Sequence, residues 1–74
     1  MKYTIETAGP VLVAVVTPTM EALGDQPWHV ALYNEGGAQV DFSIIEASSG
    51  LEAVTAAVED WLEEEGIDGT IKIS

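Results

Sequence analysis

Ser49-Gly50-Leu51-Glu52-Ala53-Val54-Thr55-Ala56-Ala57-Val58-Glu59-Asp60-Trp61-Leu62-Glu63-Glu64-Glu65-Gly66-Ile67 is the one long segment of this chain with helical periodicity. Ser49 followed three residues later by Glu52 is a capping box, the signature of a helix start. Leu51, Val54, Val58, Trp61 and Leu62 then recur at helical spacing and make one apolar stripe. Gly66 supplies the stop, and Ile67 is placed to fold back onto the last turn. A helix with one apolar stripe covers one face of one sheet, so the rest of the chain is expected to supply strands.

Upstream, Trp28, Val30 and Leu32 alternate, as do Val40, Phe42 and Ile44. Opposed residues on paired strands point the same way, so the pattern predicts Leu32 opposite Val40, Val30 opposite Phe42 and Trp28 opposite Ile44. That register leaves the loop Glu35-Gly36-Gly37, with Gly37 as the left-handed residue of a bulged hairpin turn. His29, Ala31 and Tyr33, set against Ser43, Asp41 and Gln39, are then expected to face solvent.

Met1 to Glu6 alternates with Met1, Tyr3 and Ile5 on one side, and Thr7-Ala8-Gly9-Pro10 is a turn. A turn centred on Ala8-Gly9 sets Ile5 opposite Leu12 and Tyr3 opposite Ala14. The β-branched run Val11–Val16 reads as a central strand buried on both faces. Thr17 to Pro27 is either a short helix, capped by Thr17 with Pro18 first and Gly24 at its end, or a structured loop. After Asp68-Gly69, Thr70 to Ser74 forms a last strand with Ile71 and Ile73 inward. The expectation is a single α+β domain over residues 1–74, in the order β-β-β-β-α-β with a helix or loop between the second and third strands. It is a two-layer sandwich, with a four- or five-stranded, mainly antiparallel sheet and one amphipathic helix on one face. The link through the helix is long enough for a parallel, right-handed crossover.

The chain has 74 residues, 13 of them acidic against two lysines, Lys2 and Lys72, for a net charge of −11. Two cations cannot displace the counterions of a phosphate backbone, so direct binding to nucleic acid or to an anionic membrane surface is excluded on charge. Cysteine is absent, which removes disulfides, thiolate zinc sites and thiol nucleophiles. With 47% hydrophobic residues in ordered patterns, the chain has what it needs to fold despite its charge. Its longest apolar run, Val11–Val16, is too short for a membrane span or a signal peptide, and a cytoplasmic protein is expected.

Catalysis needs convergent groups. His29 is the only histidine, and none of Ser43, Ser48 and Ser49 lies in a nucleophile-elbow sequence. Gly36-Gly37 lacks the lysine of a phosphate loop. Glu63-Glu64-Glu65-Gly66-Ile67-Asp68-Gly69 concentrates oxygen ligands but not at the positions of a calcium loop. No catalytic, cofactor-binding or metal-ligating residue is therefore assigned, and neither an enzyme nor a cofactor is expected.

The acids are informative instead. Every charged residue from Glu46 to Asp68 is acidic, whereas exposed helix positions ordinarily mix glutamate with lysine. On a wheel begun at Leu51, Glu52, Glu59 and Glu63 line one flank, Asp60 and Glu64 take the back, and Glu65 falls within the apolar stripe. Negative charge at the helix C-terminus opposes the macrodipole, so local stability does not explain it. Glu52, Glu59, Asp60, Glu63, Glu64 and Asp68 are accordingly the candidate partner-binding residues. Asp41, on the outer sheet face, and Glu35 could carry a second acidic surface. Adaptation to high salt is an alternative source of the same composition.

In size, charge and phosphate-like spacing of Glu52, Glu59, Glu63 and Glu64, the chain resembles the DNA-mimic inhibitors of phages and mobile elements. These include anti-restriction proteins, uracil-glycosylase inhibitors and anti-CRISPR proteins. The resemblance covers the character of the chain and no motif. It implies an acidic inhibitor, cytoplasmic in a host bacterial cell if phage-encoded and monomeric or weakly dimeric. Its partner would be a basic nucleic-acid-binding protein, with an anti-CRISPR role against target-DNA recruitment by a CRISPR effector favoured. A second resemblance is to antitoxins of the HicB type, which begin with a strand like Met1-Lys2-Tyr3-Thr4-Ile5 and carry a helix like Glu52 to Glu64. The chain departs from them in its extra central hairpin and its lack of a basic DNA-binding region, which leaves a toxin-neutralising interaction module as the alternative.

Overall fold

A computed structural model describes residues 1–19 and 26–74 of the chain. Five strands form one antiparallel sheet: β1 (Lys2–Glu6), β2 (Leu12–Pro18), β3 (Gln26–Tyr33), β4 (Gln39–Ala47) and β5 (Lys72–Ile73). Their order across the sheet is β4-β3-β2-β1-β5, and α1 (Gly50–Glu65) packs on one face. The architecture is thus the expected α+β layer pair, with α1 carrying the chain from one edge strand to the other. β4 and β5 run in the same direction but are not neighbours.

The first hairpin has the register its sequence predicts, with Tyr3 opposite Ala14 and Ile5 opposite Leu12. Its turn is held by Thr7, whose hydroxyl donates to the Pro10 carbonyl at 2.6 Å and accepts the Gly9 N–H at 2.9 Å. β2 is central, as expected, but buried on its inner face alone. Leu12, Ala14 and Val16 are fully buried, while Val13 and Val15 are half-buried because nothing among the described residues layers over that side. The expected helix start at Thr17-Pro18 is not formed: both residues continue β2, opposite His29 and Trp28. The remainder of that expectation, Met20 to Asp25 with the stop at Gly24, lies outside the described residues.

The second hairpin departs from the prediction by one residue. Its turn is as expected: Asn34 N–H donates to Ala38 O at 2.9 Å, and Gly37 has φ 84°, the left-handed region that glycine enters at least cost. Asn34 Oδ1 adds two acceptor bonds, from the Gly36 and Ala38 N–H groups. Tyr33 stands opposite Gln39, as predicted. A β-bulge follows at Val40, so that Leu32 faces Asp41, Val30 faces Ser43 and Trp28 faces Ile45. One extra residue on one strand turns every later side chain to the other side. Phe42 and Ile44, expected in the core, are 49% and 61% exposed on the outer face. Asp41, expected outside, lies with Ser43 on the inner side, where the Ser43 hydroxyl donates to Asp41 Oδ2 at 3.3 Å.

α1 is capped at both ends. Ser49 Oγ accepts the Glu52 N–H at 3.2 Å. The Glu52 carboxylate accepts from the Ser48 hydroxyl at 2.7 Å rather than from the Ser49 backbone, so half of the expected reciprocal box is replaced. At the other end Gly66 has φ 69°, and Ile67 N–H reaches Leu62 O at 2.9 Å, a Schellman stop. The buried side is Gly50, Ala53, Val54, Ala57, Val58, Trp61 and Leu62. Leu51, expected in that stripe, is 49% exposed. Ala53 and Ala57 draw the helix down onto the sheet on their own side, and a stripe built from the large residues alone misses them. β5 is shorter than expected, although Ile71 and Ile73 do pack against the core.

Candidate functional site

Including Ala53 and Ala57 in the buried face swings its centre by roughly 50° at about 100° per residue. Glu52, Glu59 and Glu63 then move from the flank to the ridge pointing straight away from the sheet. All three are exposed. Glu59 and Glu63 are ~6 Å apart along the axis, and Glu52 lies ~10 Å further back, at ~1.5 Å rise per residue. Asp60, expected on the back, flanks the ridge instead, whereas Glu64 falls in line with Ala53 and Ala57 and is exposed in the last turn of α1. Glu65, expected at the edge of the core, is exposed, because the last turn of α1 is open to solvent on that side. Asp68 is off the helix, in the turn to β5. Hydrogen bonds from Thr70, first its side chain and then its backbone N–H at 2.8 Å, hold the Asp68 carboxyl below the usual carboxylate range.

The two lysines are on the other side of the molecule. Tyr3, Ile5, Ile71 and Ile73 point inward, so the alternation of β1 and β5 turns Lys2 and Lys72 to the outer face. Lys72 stands opposite Glu6. Carboxylates of α1 therefore have no lysine on their own face. Among the described residues, charge is in this way unevenly spread, with six acids on α1 and the lysines opposite, beside Glu6 and Glu46.

The outer sheet face is not the second acidic surface expected from Asp41. Its middle is apolar: Val13 and Val15 on β2, Ala31 and Tyr33 on β3, Phe42 and Ile44 on β4. His29 is exposed there, with its ring centroid 5.5 Å from that of Phe42 and the planes at 60°. A depression of about 380 Å³ lies over Lys2, Val13, Val15 and Tyr33, with Glu35 at its rim. It gathers neither His29 nor any of the serines. Among the described residues, no three His, Asp or Glu side chains converge as a metal site, and no helix is long and apolar enough to cross a membrane.

The structure thus brings Glu52, Glu59 and Glu63 onto one ridge with Asp60 beside it, sets Glu64 on the sheet side of the last turn, and leaves Asp68 beyond the helix cap. It adds Phe42 and Ile44, which sequence pattern assigned to the core. Their alternation was visible; the bulge that turns them outward was not. No protein-family model, curated protein or solved structure matches the chain.

Proposed function

We propose that the chain is an acidic inhibitor that docks the α1 ridge onto the basic nucleic-acid-binding surface of a partner protein. Glu52, Glu59 and Glu63, flanked by Asp60, take the place of backbone phosphates. The observation that supports this reading is the distribution of charge among the described residues: α1 carries six acids and no base, whereas on the outer sheet face Lys2 and Lys72 offset Glu6 and Glu46. Adaptation to high salt would coat all exposed faces with carboxylates, whereas the outer sheet face keeps an apolar middle. Charge of one sign on one face steers encounter with a basic surface and makes binding sensitive to salt. The particular partner proposed is a CRISPR effector, blocked at recruitment of target DNA.

The test uses immobilised protein and a bacterial lysate containing such an effector, at low and high salt, with bound proteins eluted by duplex DNA. The reading expects a basic nucleic-acid-binding protein that DNA displaces. It also expects the triple variant Glu59→Lys, Asp60→Lys, Glu63→Lys to lose that partner while keeping its circular dichroism spectrum. Glu52 is left intact because it accepts a hydrogen bond at the helix start. Capture that survives both DNA competition and charge reversal would sink the reading.

A further inference from the structure

β4 is an edge strand whose one neighbour among the described residues is β3. Along its free side the main-chain N–H and C=O groups that point away from β3 have no strand to meet among the described residues. Edge strands are usually blunted by short length, lysine, proline or a bulge. β4 has nine residues and neither lysine nor proline, and its two protecting features, the bulge at Val40 and the inward-pointing Asp41, are both confined to its start. From Asp41 to Ala47 the pairing with β3 is regular, so the free edge there is regular as well.

The outer face leads to the same edge. Val15, Ala31 and Phe42 form one cross-strand row, and Thr17, His29 and Ile44 form the next. Both rows stop at β4, where Phe42 and Ile44 are 49% and 61% exposed. They are two residues apart on one face, the spacing that an added strand covers with its own alternate side chains. Charge decides what that strand is. Asp41 and Glu46 are the charged residues of β4, Glu35 lies in its turn, and no base stands among them. A second copy would bring −11 against −11, a repulsion between whole chains that a basic partner replaces with attraction.

We propose that the free edge of β4 takes up an extended basic segment of a partner protein as a sixth, antiparallel strand. Its main chain pairs with Asp41–Ala47, apolar side chains cover Phe42 and Ile44, and lysine or arginine stands opposite Asp41 and Glu46. This surface is separate from the α1 ridge, so it stands or falls independently of the helix reading.

The probe is a fluorescein-labelled peptide, Thr-Lys-Thr-Val-Thr-Val-Lys-Thr, which meets Ala47 to Val40 in that antiparallel register. It is titrated against the full chain by fluorescence anisotropy, with amide hydrogen exchange followed by NMR. The proposal expects saturable binding, slowed exchange at outward-facing amides within 41–47, and binding at least about tenfold weaker when both valines of the peptide become proline. The variants Ile44→Asp and, independently, Phe42→Thr weaken binding, and their circular dichroism checks the fold. The triple helix variant still protects the same amides, even where its smaller negative charge lowers affinity. The proposal is overturned by equal binding of the proline peptide, by absence of binding, or by protection spread over α1. A dimer on sedimentation that protects residues 41–47 without peptide would also overturn it, since a second copy would then hold the edge.

Discussion

The indole Nε1 of Trp28 donates to the main-chain carbonyl of Ala47 across 2.9 Å in the core. This single bond ties the beginning of β3 to the last residue of β4, two residues before the helix cap at Ser49. It therefore fixes where α1 starts as well as how the hairpin closes. Trp28 is 7% exposed and Ala47 3%, so the carbonyl has little access to water if the indole is removed.

Trp28→Phe is expected to destabilise the fold by about 2–4 kcal/mol, from lost ring volume together with a carbonyl left without its donor. Urea unfolding followed by circular dichroism measures it. A loss below ~1 kcal/mol would mean that the Ala47 carbonyl finds another donor or water.

Glu64→Lys should stabilise the chain. It removes a like charge beside Glu63 and places a cation in the last turn of α1, where no basic residue now stands. The expected gain is ~0.3–1 kcal/mol at low ionic strength. Added salt should raise the melting temperature of the parent chain more than that of the variant, because it screens the repulsion the variant has already relieved. Under the proposed function the same substitution weakens partner binding. Stability and affinity moving in opposite directions is the diagnostic result, and a variant that loses both argues for a structural role of Glu64.

Asp68 gives a pH-dependent signature. Its carboxyl is held low chiefly by the Thr70 side chain and next by the Thr70 N–H. A folded-state value below the unfolded one contributes stability above the unfolded value and loses it as pH falls through the folded one. Asp68 is fully exposed, so solvent screening keeps that contribution small. Thr70→Val removes the first cause and leaves the second. Its carboxyl carbon, followed by NMR, should titrate at higher pH than in the parent, while remaining below Asp68 in a chain unfolded by urea. Coincident titration curves in parent and variant would show that the side chain of Thr70 contributes nothing.

Much of the architecture was legible in the residues. Alternation in Met1–Glu6, the β-branched run Val11–Val16 and a turn centred on Ala8-Gly9 between them specified the first hairpin down to its register. Gly37 and Gly66 marked the two left-handed positions among the described residues, since few other residues enter that region without strain. β4 was read on the wrong side for a physical reason. Val40, Phe42 and Ile44 outweigh Asp41, Ser43 and Ile45 in hydrophobicity, and a bulge is a backbone event with no compositional mark of its own. The helix face was read off-centre because alanines count little by size, yet Ala53 and Ala57 set where the helix touches the sheet. The ridge of acids was legible as a cluster; its direction, straight out from the sheet, depended on those alanines.

The bulge at Val40 also makes β4 a strand with two usable reading frames. Pairing Val40 itself with Leu32, in place of Asp41, would straighten the bulge and rotate the remainder of the strand by one position. Phe42 and Ile44 would turn toward α1, and Ile45 would turn outward. A slip of one residue in register, with no change of sequence, would thus exchange an adhesive margin for an inert one while the order of elements stays the same.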